Sequence, residues 1–202
     1  MRLNHRKKPT GFTLIEMVGV LAVIAILAAI LVPKIFSAIE ESRYNNAIAS
    51  INGVKAATMN YFAKQGGFTP NDTFDNVLIT NGDLERPFAT RIGTAWACEV
   101  KTAATAGVGA NNRFNKLDGN NVSASGNVVQ CKIVGVPVAD AYELSKRLDG
   151  TAMCAVAADP DGTPDSGDEI PAVGNLDDKG RVIYAAADAN GLTTVYIYIA
   201  HK

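Results

Sequence analysis

The sequence predicts an α+β protein: one long N-terminal helix, apolar in its first half and amphipathic in its second, packed on a C-terminal antiparallel β-sheet. Three observations predict it. From residue 12 to about residue 64 only Pro33 is hostile to a helix, and Gly66-Gly67 then supplies a stop. Beyond Pro33 the apolar residues Ile35, Ile39, Ala47, Ile48, Ile51, Val54, Met59 and Phe62 recur by threes and fours, with Glu40, Glu41, Arg43, Asn45, Asn52 and Lys55 between them. After Gly67 the pattern shifts to short alternating runs separated by Gly, Asn and Asp.

The chain of 202 residues, 48% hydrophobic and 19% charged, suits one anchored globular domain. Its expected organisation is a basic leader over 1–11, a membrane half of the helix over 12–33, an amphipathic half over 34–65, and a β-rich head over 66–202. Residues 12–32 number 21, close to the roughly 20 that a bilayer requires. At 1.5 Å per residue, a helix of about 53 residues would be roughly 80 Å long.

Charge sets the orientation. The leader holds Arg2, Arg6, Lys7 and Lys8 and no acid; without those four the 19 basic residues fall to 15 against 20 acids, and the net charge moves from −1 to −5. By the positive-inside rule the leader stays in the cytoplasm and everything after Val32 is exported. The mild acidity gives no case for nucleic-acid binding.

Within the head, Val77-Leu-Ile-Thr80 reads as a strand before the turn pair Asn81-Gly82. Ile92, Trp96, Cys98 and Val100 recur at even positions and predict a second strand. Residues 102–127 are rich in Ala, Gly and Asn and form a long excursion, after which Val129, Cys131 and Ile133 alternate with Gln130 and Lys132. A short helix is expected over 138–148 and a strand over 152–157; residues 181–187 and 193–200 flank Asp188-Ala-Asn190-Gly191, a hairpin signature. The strand order does not follow from these patterns.

Glu16 is the residue that this organisation makes expensive. It opens an apolar run that continues to Val32, where a carboxylate at the bilayer's apolar level costs roughly 2.5 to 3.5 kcal/mol and needs a partner. A conventional secretory signal ending near Ala28-Ala29-Ile30 would leave Glu16 unexplained.

Gly11-Phe12-Thr13-Leu14-Ile15-Glu16, behind a short basic leader and ahead of an uninterrupted apolar helix, resembles the class III signal of type IV pilins and their pseudopilin relatives. The resemblance covers the chain to about Phe62 and is much weaker beyond. It implies the pilin fold, cleavage by a membrane prepilin peptidase after Gly11, N-methylation of Phe12, and a role for Glu16 in assembly. Cleavage creates an amine at Phe12. Pairing it with Glu16 of the same chain would satisfy each subunit alone, whereas pairing between chains would fix a stagger; the resemblance implies the second. Repeating one head-to-tail contact under a rotation that does not close gives an open filament.

Thr13 reads either as a hydroxyl satisfying local backbone donors or as an assembly contact. Gly19 is either a point of close helix approach or simply tolerated. Pro33 lacks an N–H and should kink or locally open the helix around residues 29–33, and the resemblance associates a proline at this distance with a segment that loosens in the filament.

The acidic loop carries Asp159, Asp161, Asp165 and Asp168, which present several carboxylates around one point and make calcium a candidate ligand; the loop also reads as an exposed acidic turn. No other cofactor is required. Calcium would resemble the major pseudopilins of type II secretion. Cys98, Cys131 and Cys154 fit an exported head and allow three pairings. Cys131 with Cys154 would resemble the C-terminal disulfide loop of many type IV pilins and is the preferred expectation; Cys98 with Cys131 could join neighbouring strands.

Nothing in the sequence argues for catalysis. His5 lies in the leader and His201 beside the last residue, and no nucleophile has a base in a recognisable motif. Tyr44, Tyr61, Tyr184, Tyr196 and Tyr198 read as ordinary core and strand packing, and Trp96 reads as core. The expected partners are further copies of the chain, the prepilin peptidase and an inner-membrane assembly platform. The expected location is the inner membrane as a single-pass precursor, then a surface pilus or a periplasmic pseudopilus. A type II secretion pseudopilin, a minor tip pilin and a non-polymerising anchored envelope protein stay open as alternatives.

Overall fold

The computed structural model describes residues 11–107, 114, 126–150, 180–185 and 187–202. The chain divides into two compact units, Met1–Ser42 and Arg43–Lys202. Helix α1 is assigned over Leu14–Gln65 and contributes to both. In the first unit every described residue is exposed, including the large apolar side chains from Phe12 to Ile39. Among the described residues α1 is the one helix long and apolar enough to cross a membrane.

The second unit carries the sheet. Its described elements are the C-terminal part of α1, α2 (Phe74–Thr80), β1 (Ala95–Thr102), β2 (Asn127–Pro137), α3 (Val138–Asp149), β3 (Val182–Tyr184) and β4 (Leu192–His201). The four strands are antiparallel in the order β1-β2-β4-β3. Thus β4 pairs with β2 on one side and closes the hairpin with β3 on the other.

The predicted amphipathic stripe of α1 is buried only from Ala47 onward, and Ile35, Ile39 and Met59 of that stripe are exposed. Ala47, Ile51, Val54 and Ala57 are buried together with Cys98 and Val100 of β1, Val129, Cys131 and Ile133 of β2, and Val195, Ile197 and Ile199 of β4. Alternation then sends Val128, Ile183, Tyr196 and Tyr198 to a second cluster around Ala103, Ala106 and Phe114. Polar contacts tie α3 to α1: Tyr44 donates its hydroxyl to Asp140 at 2.8 Å, and the Arg147 guanidinium lies 4.9 Å from the centroid of the Tyr44 ring.

Two sequence expectations are corrected. Residues 77–80 are the end of α2, not a strand. Phe74 and Leu78, one helical turn apart, are both buried in the main cluster, and the Thr80 hydroxyl bonds the Asn76 carbonyl at 2.8 Å. Gly82, at φ +73°, follows the C-cap Asn81, so the Asn-Gly pair ends a helix instead of turning a hairpin. Trp96, expected in the core, is 42% exposed, because β1 enters the core only from Cys98 onward.

The expected helix over 138–148 and the hairpin through Asn190-Gly191 are present as α3 and as β3–β4. Asp188 holds that turn by accepting the N–H groups of Asn190 and Leu192, each at 2.9 Å. The strand expected over 152–157 lies outside the described residues, as do the calcium candidates Asp159, Asp161, Asp165 and Asp168.

Beta strand β2 changes register twice against β4, at Val129/Gln130 and Val134/Val136. The second shift uses Gly135 at φ +70°, where a Cβ would lie 2.4 Å from the Thr94 hydroxyl oxygen. Only glycine meets both demands.

Candidate functional site

The N-terminal residues of α1 build a closed local arrangement. Thr13 is the residue before the helix, and its hydroxyl oxygen accepts the Glu16 N–H at 3.3 Å. Glu16 reaches back, and its Oε2 accepts both the Thr13 N–H and the Thr13 hydroxyl, each at 2.8 Å. This is a capping box: two helix-end N–H groups that have no intrahelical partner are satisfied reciprocally. The helix dipole favours a carboxylate in this first turn as well.

The sequence reading recognised the helix-end role open to Thr13 but not the reciprocal role of Glu16. The signal was present in Thr-x-x-Glu immediately before an apolar run. Two demands therefore meet on one side chain. Within a single chain Glu16 is held by Thr13, while its place in an apolar helix sets a carboxylate where hydration is costly.

Gly11 and Phe12 lie just before the helix, both exposed, with Phe12 81% accessible. A bond between them is thus on open backbone outside any regular element. Pro33 is enclosed by α1, which continues through residues 29–33 without interruption. The Ser37 hydroxyl donates to the Pro33 carbonyl at 3.2 Å. Around Gly19 nothing beyond its own turn of helix lies within 4 Å of where a Cβ would stand, so in the single chain nothing demands a glycine there.

Cys98 and Cys131 are both buried and unbonded, and they face each other across β1 and β2. Cys154 lies outside the described residues, and the expected Cys131–Cys154 pairing lies there with it. No group of three or more His, Cys, Asp or Glu side chains suited to a metal occurs among the described residues.

The exposed Gly11–Phe12 junction and the capped Glu16 carboxylate thus lie close together at the head of an apolar helix. Residues 6–32 match the prokaryotic N-terminal methylation motif. The chain is also similar to three kinds of curated relative. It is 27% identical over 107 residues to the type IV major pilin protein PilE1 of Neisseria gonorrhoeae, covering 53% of this chain and 65% of that one. It is 29% identical over 114 residues to a fimbrial protein of Neisseria meningitidis serogroup B, covering 56% and 63%. With the type IV major pilin protein PilA of Myxococcus xanthus the identity is 30% over 104 residues, covering 51% and 45%.

The chain therefore spans about half to two thirds of the length of the curated relatives it matches. No solved structure matches it. The motif at the N-terminus and the relatives thus make the chain similar to type IV major pilins and a fimbrial protein over about half of its length. The long apolar helix and the four-stranded antiparallel sheet are consistent with the α+β pilin fold. The motif together with that helix fits a membrane-anchored precursor.

Proposed function

We propose that this chain is a structural subunit of a type IV pilus, held in the inner membrane until a prepilin peptidase cleaves after Gly11 and methylates Phe12, and then polymerised into a helical filament. The observation that carries this reading is the placement of the methylation motif at the capped start of a helix whose first unit leaves its apolar side chains uncovered. Such a surface is costly in water, at roughly 25 cal/mol per Å². Lipid covers it in the precursor and neighbouring helices cover it in the fibre.

Glu16 supplies the registry. In the lone subunit its carboxylate accepts from Thr13. During assembly it exchanges those neutral donors for the charged amine at Phe12 of a neighbouring copy, and exclusion of water strengthens that pair. The chain works as a building block and carries out no reaction itself.

Mass spectrometry of the mature N-terminus, combined with electron microscopy of sheared surface material, tests the reading. The expected result is a chain beginning at N-methylated Phe12 within filaments. A protein that keeps its first eleven residues and yields no fibres in its native host defeats it.

A further inference from the structure

We infer that Cys98 and Cys131 form the intramolecular disulfide of this protein, as a cross-strand bond between β1 and β2 that leaves Cys154 outside the bridge. The inference rests on the reading that the head is exported to an oxidising compartment, and it replaces the pairing favoured by resemblance with one set by strand register.

The register places the two cysteines directly opposite each other, in an unbroken ladder from Ala95↔Val134 to Thr102↔Asn127. Which kind of opposite pair they form follows from the hydrogen bonds around them. Just beyond the ladder Ala103 donates to the Gly126 carbonyl at 2.9 Å, so odd-numbered residues of β1 turn their backbone groups toward β2. Val100 shows the complementary half of the pattern. Its N–H and C=O both bond Asn71, at 2.6 and 3.0 Å, on the side away from β2. Cys98, two residues earlier, shares the orientation of Val100. It therefore faces Cys131 at a non-hydrogen-bonded position.

That distinction decides the geometry. At non-hydrogen-bonded positions opposed Cα atoms lie about 4.5 Å apart and the side chains are at their closest. Disulfides need Cα separations of about 4.4 to 6.8 Å, so the strands can stay where they are when the bond forms. Both side chains belong to the main core cluster and both are fully buried.

The same burial fixes when the bond forms. Burial, with the adjacent Cys98 sulfur adding to it, pushes the Cys131 thiol well up, which holds it in the unreactive protonated form. Oxidation thus belongs to the stage when β1 and β2 are pairing and still open to solvent. A disulfide-bearing oxidant, protein or small molecule, supplies the step by thiol–disulfide exchange. One thiolate attacks it to give a mixed disulfide, and the second cysteine's thiolate displaces the oxidant. The two S–H bonds are replaced by one S–S bond, while the oxidant's S–S bond is reduced to two thiols that take up both electrons and both protons.

The test is refolding of the full-length chain from denaturant into detergent micelles in a mixture of oxidised and reduced glutathione. Alkylation without reduction, digestion and mass spectrometry of the peptides follow. The expected product joins the Cys98 and Cys131 peptides, minus the mass of two hydrogens, with Cys154 alkylated, and Cys154→Ser gives the same link in the same yield. Once folded, the bond should resist dithiothreitol until denaturant is added. A bridge that contains Cys154, or three alkylated cysteines in chains with a native melting transition, overturns the inference. The same peptide map made on material from native cells addresses export separately: free thiols there, beside a correct link in vitro, count against the export reading and leave the pairing standing.

Discussion

At the scale of single residues, Glu16 carries two roles that substitution can separate. A capping box accepts glutamine as well as glutamate at its third helical position, because an amide oxygen can receive the Thr13 donors. Only a carboxylate can neutralise a protonated amine in a water-free seam. Glu16→Gln should therefore keep the helix start and membrane insertion while lowering filament yield roughly tenfold or more, the equivalent of about 1.4 kcal/mol per contact. Normal fibre yield in sheared fractions from this variant would remove the charge from the mechanism. Thr13→Val should do the converse. It loses the cap, worth about 1 kcal/mol, and hydrogen exchange at the first helical amides should speed up. Asp188 gives a pH-dependent counterpart in the head: the Leu192 and Asn190 N–H groups hold its carboxyl below the ordinary aspartate value of 3.8. The stabilisation it lends the turn is complete above that value and is lost as the pH falls through the lowered one. An NMR titration should show its carboxyl titrating below the ordinary range, and Asp188→Ala should abolish the extra acid sensitivity of the β3–β4 turn. The sequence made Glu16 conspicuous because a charge in an apolar run is rare, but the same conspicuousness drew attention toward a distant partner and away from Thr13, three residues before it.

At the scale of elements, periodicity was a reliable guide where the period was sustained. The amphipathic half of α1, β2, α3 and β4 all run long enough for the pattern to outweigh local preference. Residues 77–80 are too few for that; a run of β-favouring side chains followed by Asn-Gly suits a strand as well as a helix end. What decides the matter is tertiary, since Phe74 and Leu78 must reach the same core from one face. Two contacts between elements were illegible for a related reason. Gly135 was unremarkable until the Val134/Val136 register shift brought it against Thr94, and Asp149 until the chain returned at Arg181. Gly135→Ala combines a disfavoured φ with that overlap, at about 2 kcal/mol or more, so the melting temperature should fall by roughly 4–8 °C. The Asp149 side chain is fully buried and accepts the N–H groups of Arg181 and Val182, at 2.6 and 2.7 Å, and the Arg181 guanidinium at 3.0 Å. Asp149→Ala should cost about 2–3 kcal/mol in thermal or denaturant unfolding, mostly from the two backbone donors, because the Arg181 side chain is 30% exposed and stays hydrated.

At the scale of the whole molecule, the division at Ser42 and Arg43 falls inside α1, where no loop or glycine marks it. The division follows from burial. Residues 11–42 are all exposed, whereas from Ala47 onward the helix gives its apolar stripe to a core shared with β1, β2 and β4. The second unit therefore has the hydrophobic interior a folding domain needs, and the first has apolar surface that only lipid or other helices can satisfy. A truncated chain of residues 43–202 should accordingly be soluble without detergent, melt in one cooperative transition and sediment as a monomer at concentrations where the mature chain is polymeric or micelle-bound. Circular dichroism melts and sedimentation velocity would check both halves of this expectation. If the truncated chain sedimented as a polymer, the drive to assemble would have to come from the head. If it lacked a cooperative transition, the first unit would be needed for folding as well as assembly. Monomeric behaviour with an intact melt would place the drive for self-association in residues 12–42 and show that the second unit folds without them.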